Sequence, residues 1–386
     1  MPAYSEIKSR PIYTYLMVLT FAQAAAFLGW TALYTNFAVD SAHLNGQQNG
    51  IIQSFREVPG LLSVVVILLL LVCSEITLTS FSILLCGLGV ALTGFFPSFG
   101  GQIFWTVLLS CGFHWFETTN QSLTLQYFTV EEAPIAISRL RAVTAKGSFT
   151  MGLVIMLLAV NRPAPDYVHL FNLAGSVAIA AGLWSFFHRP PVTPGLPAQR
   201  RGMVLRRRYW LFYIMTCLSG ARRQIYNVFV VFLLVAHFHF TLFQMSLLLL
   251  LNNLINWVFN SYIGLAINVV GEKRLLTVKY VLVVLLCLAY VVCDQAWVAA
   301  ALYVVDQLLF CFTISLRTYF QKIADPGDIA PSMAVGVTIN HLVAVAVPSV
   351  GGYLWMIDYR IPFLMGAGFA LASLIMTSFI RLPERT

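Results

Sequence analysis

Long apolar runs, separated by short polar or Pro/Gly-containing turns, fill almost the whole chain. A helix needs roughly 20 apolar residues to cross a hydrocarbon core of about 30 Å, and most of the runs reach that length. Barrel strands would instead alternate in polarity over segments of about ten residues, and runs such as 61–73 do not. The pattern therefore predicts twelve transmembrane helices, at 11–39, 47–72, 76–97, 101–128, 135–160, 168–188, 209–238, 242–270, 275–293, 296–323, 329–357 and 360–381.

The composition is that of a protein whose solvent is a lipid bilayer. Of the 386 residues, 59% are hydrophobic and only 10% are charged, whereas a soluble domain carries about 25% charged residues. A water-soluble fold is therefore excluded, and we expect an all-α integral membrane protein.

One connection is long enough to divide the chain. Residues 189–208, RPPVTPGLPAQRRGMVLRRR, are rich in proline and arginine and cannot span lipid. We therefore predict an N-terminal six-helix bundle at 1–188, a cytoplasmic linker at 189–208 and a C-terminal six-helix bundle at 209–386. A weak echo between SLTLQYF at 122–128 and SLRTYF at 315–320, roughly 194 residues apart, favours two bundles related by pseudo-two-fold symmetry.

The distribution of lysine and arginine predicts the orientation. With both termini on one side, about sixteen of these cations fall on that side, Lys279 among them, and only Arg162 and Arg360 fall on the other. Because such cations accumulate in cytoplasmic loops, we expect a multi-pass protein of the cell membrane, or inner membrane, with both termini in the cytoplasm. The net charge of +8 then reflects topology, and nucleic acid is not expected as a partner.

A loop motif follows the predicted eighth helix. In GLAINVVGEKR, Gly264 precedes the amide Asn268 by four positions, and Gly271 precedes the basic pair Lys273 and Arg274. The glycines permit close helix approach and a tight turn, and the cations hold the helix ends at the cytoplasmic surface. The corresponding stretch after the second helix, VCSEITLTSF, has Glu75 but no cation.

This motif, with its position in a six-plus-six helix pattern, resembles the loop signature of the major facilitator superfamily. The resemblance implies a secondary transporter that works by alternating access, with the first, fourth, seventh and tenth helices lining the path. It also implies a small-molecule substrate, protons or another coupling ion, no cofactor and no enzymatic activity. We expect a monomer. The fold is shared by carriers of very different substrates, so the resemblance does not identify the solute.

Ionisable side chains at membrane depth are costly, by about 2.5–3.5 kcal/mol each on insertion scales, and are candidates for function. Such residues are Arg56, Glu57, Glu117, Lys146, Arg222, Arg223, Asp306, Arg317 and His341. The sequence shows no cysteine or histidine spacing typical of a metal site, and no metal is expected.

Two adjacent arginines lie near the middle of the seventh helix, after a Ser219-Gly220 step that we expect to loosen it. Neighbouring positions on a helix are about 100° apart, so only one of Arg222 and Arg223 can point at a central cavity. A guanidinium pairs with carboxylate or phosphate, which favours an anion site that also includes Arg317. The alternative is an internal pair between an arginine and Asp306 or Glu117.

Further polar and aromatic residues complete the predicted substrate site. The tenth helix carries a stripe of Tyr303, Asp306, Phe310, Thr313 and Arg317; the eleven-residue spacing of Asp306 and Arg317 prevents their direct pairing. On other helices, Gln23, Trp30, Tyr34, Tyr226 and Asn256 are predicted to contact substrate, although aromatic rows also occur as simple packing. Asn252, Asn256 and Asn260 form a four-residue ladder that bridges helices or lines a wet path.

Three groups are candidates for carrying a coupling proton. Burial raises the pKa of a carboxyl group toward neutrality, which makes Glu117 the first choice and Asp306 the second; either could instead be held in a permanent ion pair. His341 is the third, because histidine titrates near physiological pH. Arg56 and Glu57 stand just before Pro59-Gly60, where the helix should kink, and we interpret them as a gate or structural ion pair.

The prediction is a secondary transporter for a small anionic or zwitterionic organic solute, coupled to protons by symport or antiport. One alternative is a proton-driven efflux pump for lipophilic or cationic compounds, in which the embedded carboxylates recognise the cation. A second is a non-transporting receptor or scaffold on a carrier fold. The chain has no Gly-rich phosphate loop with its lysine, so it is not an ATP-driven pump by itself.

Overall fold

The computed structural model of the chain describes residues 9–62, 64–128, 133–160, 164–191, 205–325 and 328–381. Within these ranges, the side chains at 64, 67, 125, 133–135, 138, 256–268, 329–331 and 333–334 are not described. Arg162 and positions 192–204 of the predicted linker therefore lie outside the described residues.

The described residues are almost entirely helical, because a backbone in hydrocarbon must satisfy its own hydrogen bonds. The helices are α1 (Pro11–Asp40), α2 (Gly46–Leu61), α3 (Val64–Leu69), α4 (Glu75–Thr93), α5 (Phe99–Tyr127), α6 (Ala133–Ala159), α7 (Tyr167–Phe187), α8 (Trp210–Gln224), α9 (Leu242–Val270), α10 (Glu272–Val291), α11 (Ala296–Cys311), α12 (Ile314–Ile323), α13 (Ile329–Ile357) and α14 (Ile361–Thr377).

Each predicted span coincides with this helical structure to within about four residues at its ends. By length and composition, eight described helices could cross a membrane, and shorter apolar helices cover Leu242–Ile255 and Ile361–Thr377. The second span is interrupted between Leu61 and Val64, as Pro59-Gly60 predicted. The tenth span is also interrupted, at Phe312 and Thr313, which the sequence did not predict.

The seventh span loosens later than expected. Helix α8 is regular through Ser219 and Gly220 and ends at Gln224, and the chain then continues in wide π turns at Ile225–Val230 and Leu233–His237. Gly220 has a packing role instead, since a Cβ there would lie 2.5 Å from the side-chain oxygen of Asn340. The expected local effect of Ser219-Gly220 is therefore wrong in position.

The chain forms two compact units. Unit 1 comprises Met1–His43, Val58–Gln199 and Thr241–Leu250. In it, α4 packs against α5 and α7, and α1 packs against α6 and α7. Helices α4 and α5 approach closely at Gly89, where a Cβ would lie 2.5 Å from the backbone nitrogen of Leu109.

Unit 2 comprises Leu44–Glu57, Arg200–Phe240 and Leu251–Thr386. Helix α8 packs against α13 and α14, and α10 packs against α11, α12 and α14. Its aromatic core includes Phe212 and Phe320, whose rings stack with centroids 4.1 Å apart. Because each unit includes one segment from the other end of the chain's division, the predicted bundle limits at 188 and 209 stay a prediction.

A carboxylate opens α4 in unit 1 and another opens α10 in unit 2. Glu75 accepts hydrogen bonds from Ser122 at 2.8 Å and from Gln126 at 2.7 Å, both near the end of α5. Glu272, only 1% exposed, pairs with Lys322 near the end of α12. The two units therefore use a carboxylate at the same place, although only unit 2 carries the basic motif.

The residues of the loop motif have distinct structural tasks. Gly271 adopts a φ of 85°, a conformation that side chains disfavour, and so makes the turn into α10. The ammonium of Lys273 donates to the backbone carbonyls of Ser378 and Ile380, at 3.2 and 3.3 Å, beyond the end of α14. Arg274 is exposed, and the side chains of Gly264 and Asn268 lie outside the described residues.

The end of the linker is clasped onto unit 2. Asp328, which precedes α13, accepts hydrogen bonds from Arg206 and from the Tyr209 hydroxyl, and Arg208 pairs with Asp325. Partial burial alone would raise the pKa of Asp328, but the hydrogen bonds from Arg206 and Tyr209 outweigh it and hold that pKa below its ordinary value.

We expect Glu272 and Lys322 to be energetically coupled. In a double-mutant cycle with Glu272→Gln and Lys322→Gln, thermal unfolding in detergent should give a coupling energy of roughly 0.5–3 kcal/mol, because the two side chains form one ion pair. Strictly additive effects would show that the pair does not hold α10 to α12.

The clasp should weaken in acid. Because the pKa of Asp328 is lowered in the folded protein, its stabilising effect is present above the unfolded pKa of about 3.9 and is lost as the pH falls below it. The melting temperature of the wild type should therefore fall more between pH 6 and pH 3.5 than that of Asp328→Asn. Parallel pH profiles of the two proteins would contradict this.

Candidate functional site

A buried ion pair joins two helices inside unit 2. Arg222 on α8 donates from Nη1 to Oδ1 of Asp306 on α11 at 2.5 Å, and each side chain is only 4% exposed. This is the internal pairing that the sequence left open as an alternative to direct anion binding. Removing one partner of such a pair leaves a buried charge, which costs about 3–5 kcal/mol.

Aromatic and amide groups of unit 2 continue this polar interior. The rings of Tyr226 and Tyr303 stack with centroids 5.0 Å apart, and the Tyr226 hydroxyl accepts a hydrogen bond from Asn252 at 3.0 Å. Asn252 thus bridges α9 to the seventh span, as one interpretation of the asparagine ladder predicted. The side chain of Asn256 lies outside the described residues.

Arg223 occupies a different environment from its neighbour. Its side chain is half-buried, and its Nε is enclosed without a hydrogen-bond partner among the described residues. The charges of Glu57 and Arg56 act on it. Only one of the two arginines faces Asp306, as helix geometry predicted, and Arg223 is left without a carboxylate partner in the described part of unit 2.

Glu57 is the centre of a second ionic group in unit 2. Its Oε1 accepts from Arg56 at 2.8 Å, and its Oε2 lies 3.2 Å from Nδ1 of His341 on α13. The Arg56–Glu57 pair expected from the sequence is therefore present, but its histidine partner was not foreseen, because 284 residues separate Glu57 from His341.

The α2 segment of unit 2 carries Glu57 along α13 by close packing. A Cβ on Gly50 would collide with the carbonyl oxygen of Pro348, so only glycine permits this approach. One turn further on, the hydroxyls of Ser54 and Ser349 lie 2.8 Å apart. These contacts place the carboxylate of Glu57 against His341.

In unit 1, the predicted aromatic face of α1 packs internally. Trp30 and Tyr34 are each 1% exposed, and their rings stack with centroids 4.5 Å apart. Gln23 is also buried. This is the packing interpretation of the aromatic row, and a role in substrate contact stays a prediction.

The first-choice proton group, Glu117, has a different setting from the other two. It is exposed on α5 and forms no hydrogen bond or salt bridge with another described residue. Asp306 is occupied by Arg222, whereas His341 faces a carboxylate. Arg317 on α12 and Lys146 on α6 are exposed.

Sequence reasoning misplaced Lys279 and missed Gln307. Lys279 is 1% exposed within α10, where its Nζ donates to the Thr313 hydroxyl at 3.0 Å, so assigning it to a cytoplasmic loop was wrong. Its depth in the apolar run TVKYVLVVLL was the available signal. Gln307, beside Asp306, lies within 3.5 Å of the Tyr226 hydroxyl.

The chain matches the family model of the Major Facilitator Superfamily over residues 19–347. No curated protein sequence matches it.

Solved transporter structures share its fold. The nucleoside transporter NupG is 16% identical, with a TM-score of 0.74 over 95% of this chain and 98% of that one. A bacterial homologue of the lysosomal transporter Spinster is 11% identical, with a TM-score of 0.77 over 98% and 97%. A bacterial homologue of the iron transporter ferroportin is 12% identical, with a TM-score of 0.75 over 95% and 98%.

Identities this low show the fold alone, which is all-helical with two six-helix bundles, and the family match extends over most of the sequence. The chain is therefore a multi-pass membrane protein that belongs to the major facilitator superfamily of secondary transporters.

Proposed function

We propose that this protein transports a small anionic or zwitterionic organic solute, coupled to protons, by alternating access. The observation that carries the proposal is the charge balance inside unit 2. Its embedded cations are Arg56, Arg222, Arg223, Lys279 and Arg317, whereas its embedded carboxylates are Glu57 and Asp306.

The excess cations favour a negatively charged solute. Both carboxylates already have cationic partners, in Arg56 and Arg222. Arg223, by contrast, forms no salt bridge with a described carboxylate, although it is enclosed by the protein. Burying an unpaired charge is expensive, and a solute carboxylate that enters as a counter-charge offsets this cost.

The geometry favours His341 and Glu57 as the proton-carrying pair. A histidine within hydrogen-bond range of a carboxylate can take up a proton and remain neutralised, and no lysine pairs with either group among the described residues. Asp306 serves less well because Arg222 occupies it, and Glu117 has no partner among the described residues to answer a change in its charge.

Organic anions should stabilise the purified protein through Arg223. In a thermal-shift assay with benzoate and lactate as anions, tetraphenylphosphonium as a lipophilic cation and uridine as a neutral solute, we expect stabilisation by an anion alone. At 100 times its dissociation constant a ligand adds about 2.7 kcal/mol. Arg223→Gln should remove most of this shift, and the matched control Lys146→Gln, which deletes an exposed cation of unit 1, should keep it.

Stabilisation by tetraphenylphosphonium alone, unchanged in Arg223→Gln, would refute the anion proposal and favour the efflux alternative. A uridine shift that is indifferent to Arg223 would favour a neutral substrate.

Proton coupling should depend on His341 and Glu57. In proteoliposomes, His341→Gln and Glu57→Gln should each reduce uptake of the stabilising anion driven by an imposed pH gradient by about tenfold or more, within the range of lost proton-transfer groups. Exchange of labelled for unlabelled anion without a gradient should persist, because the anion site is intact. The control Ser349→Ala alters the same α2–α13 contact without a titratable group. Normal gradient-driven uptake in both variants, with its loss in Glu117→Gln, would reassign the proton to Glu117.

A further inference from the structure

Lys279 is the most deeply buried cation of unit 2 that has no carboxylate of its own. Its Nζ donates to the hydroxyl of Thr313 and lies 5.1 Å from the centroid of the Tyr280 ring. An ammonium has three donors, and a neutral hydroxyl is a weaker partner for it than a carboxylate. Among the described residues, Lys279 therefore holds a charge that is poorly compensated.

The charges that act on Lys279 are those of Arg222 and Asp306. These two already form a pair, through Oδ1 of Asp306. With all three groups ionised, the cluster carries one excess positive charge in an interior where each member is 3% exposed or less. The side chains around it from the same helices, Tyr280 and Cys287 on α10, add no charge of their own type to balance it.

Asp306 is able to accept a second cation. Only its Oδ1 is engaged by Arg222, whereas a carboxylate has two oxygens and about four acceptor sites. Lys279 is also weakly tethered, since its acceptor Thr313 stands at the interruption between α11 and α12, where the regular helix has already ended. A shift of the Lys279 ammonium from Thr313 to Asp306 thus exchanges a neutral partner for a charged one.

We infer that Lys279 takes over Asp306 when a solute anion engages Arg222, so that Lys279, Asp306 and Arg222 form an exchange cluster that accepts one negative charge. This inference rests on the proposed anion transport and adds a positioning residue to it. In the closed arrangement Arg222 is held by Asp306. In the anion-bound arrangement Arg222 holds the solute, Lys279 holds Asp306, and the cluster is neutral.

The test compares benzoate and lactate binding, by concentration-dependent thermal shift of the full chain, across variants that change the net charge of the cluster. Lys279→Gln should weaken the dissociation constant by about tenfold, which equals about 1.4 kcal/mol. Lys279→Arg should bind within about threefold of the wild type, because the charge is kept. The double variant Lys279→Gln with Asp306→Asn should restore binding, since Arg222 is then permanently free.

The rescue separates exchange from a structural role. If Lys279 only supports packing, the double variant will bind no better than Lys279→Gln, and the inference is overturned. If Lys279→Gln does not fold, Asp306→Asn alone decides the question: it should bind at least as tightly as the wild type, and weaker binding would refute the exchange.

The inference and the proposed function fail in different ways. Equal anion binding by the wild type and Lys279→Gln would overturn the exchange and leave anion transport standing. Absence of any anion effect on the wild type, together with stabilisation by tetraphenylphosphonium, would overturn both.

Discussion

The ion pair between Arg222 and Asp306 constrains the interior of unit 2 more than any other contact described above. It joins α8 to α11 where neither charge meets solvent, and neither partner tolerates loss of the other without leaving a buried charge. Lys279, Tyr226 and Tyr303 lie around the helices that this pair connects. The polar interior of unit 2 is thus organised by one carboxylate, with more cations about it than it can neutralise.

The charge excess links fold to function. A bilayer-embedded unit that retains unpaired cations bears a cost that a purely structural interior would avoid, since ion pairs or apolar residues would serve equally well. A transported anion offsets that cost only while it is bound, which is useful to a carrier that must release its cargo. Members of this fold family differ widely in substrate, so the argument depends on these side chains and not on the family.

The helices could be predicted closely from the sequence because the bilayer fixes the length of each apolar run, and Pro59-Gly60 correctly predicted the interruption of the second span. The interruption at Phe312 and Thr313 and the π turns after Gln224 could not be predicted, since no proline or glycine marks them. Of the site, the Arg222–Asp306 pair was one of two open interpretations, because spacing limits which residues share a face but not which faces meet.

The remaining discrepancies have physical causes. The Glu57–His341 contact depends on how α2 packs against α13, which a single sequence does not encode in its spacing. Lys279 was misplaced because counting loop cations treats every lysine near a span end as exposed, whereas its stem and ammonium are enclosed within α10. Glu272 escaped notice because it lies inside a motif known for its cations.

The central claim, that the excess cations of unit 2 bind an organic anion, is tested most directly by locating such an anion. Crystals grown with 4-iodobenzoate would reveal the iodine by anomalous scattering. The account predicts an anomalous peak with the carboxylate of the ligand directed at the guanidinium groups of Arg222 or Arg223. A peak beside Glu117, or binding of an iodinated cation at Asp306 with no site for 4-iodobenzoate, would contradict it.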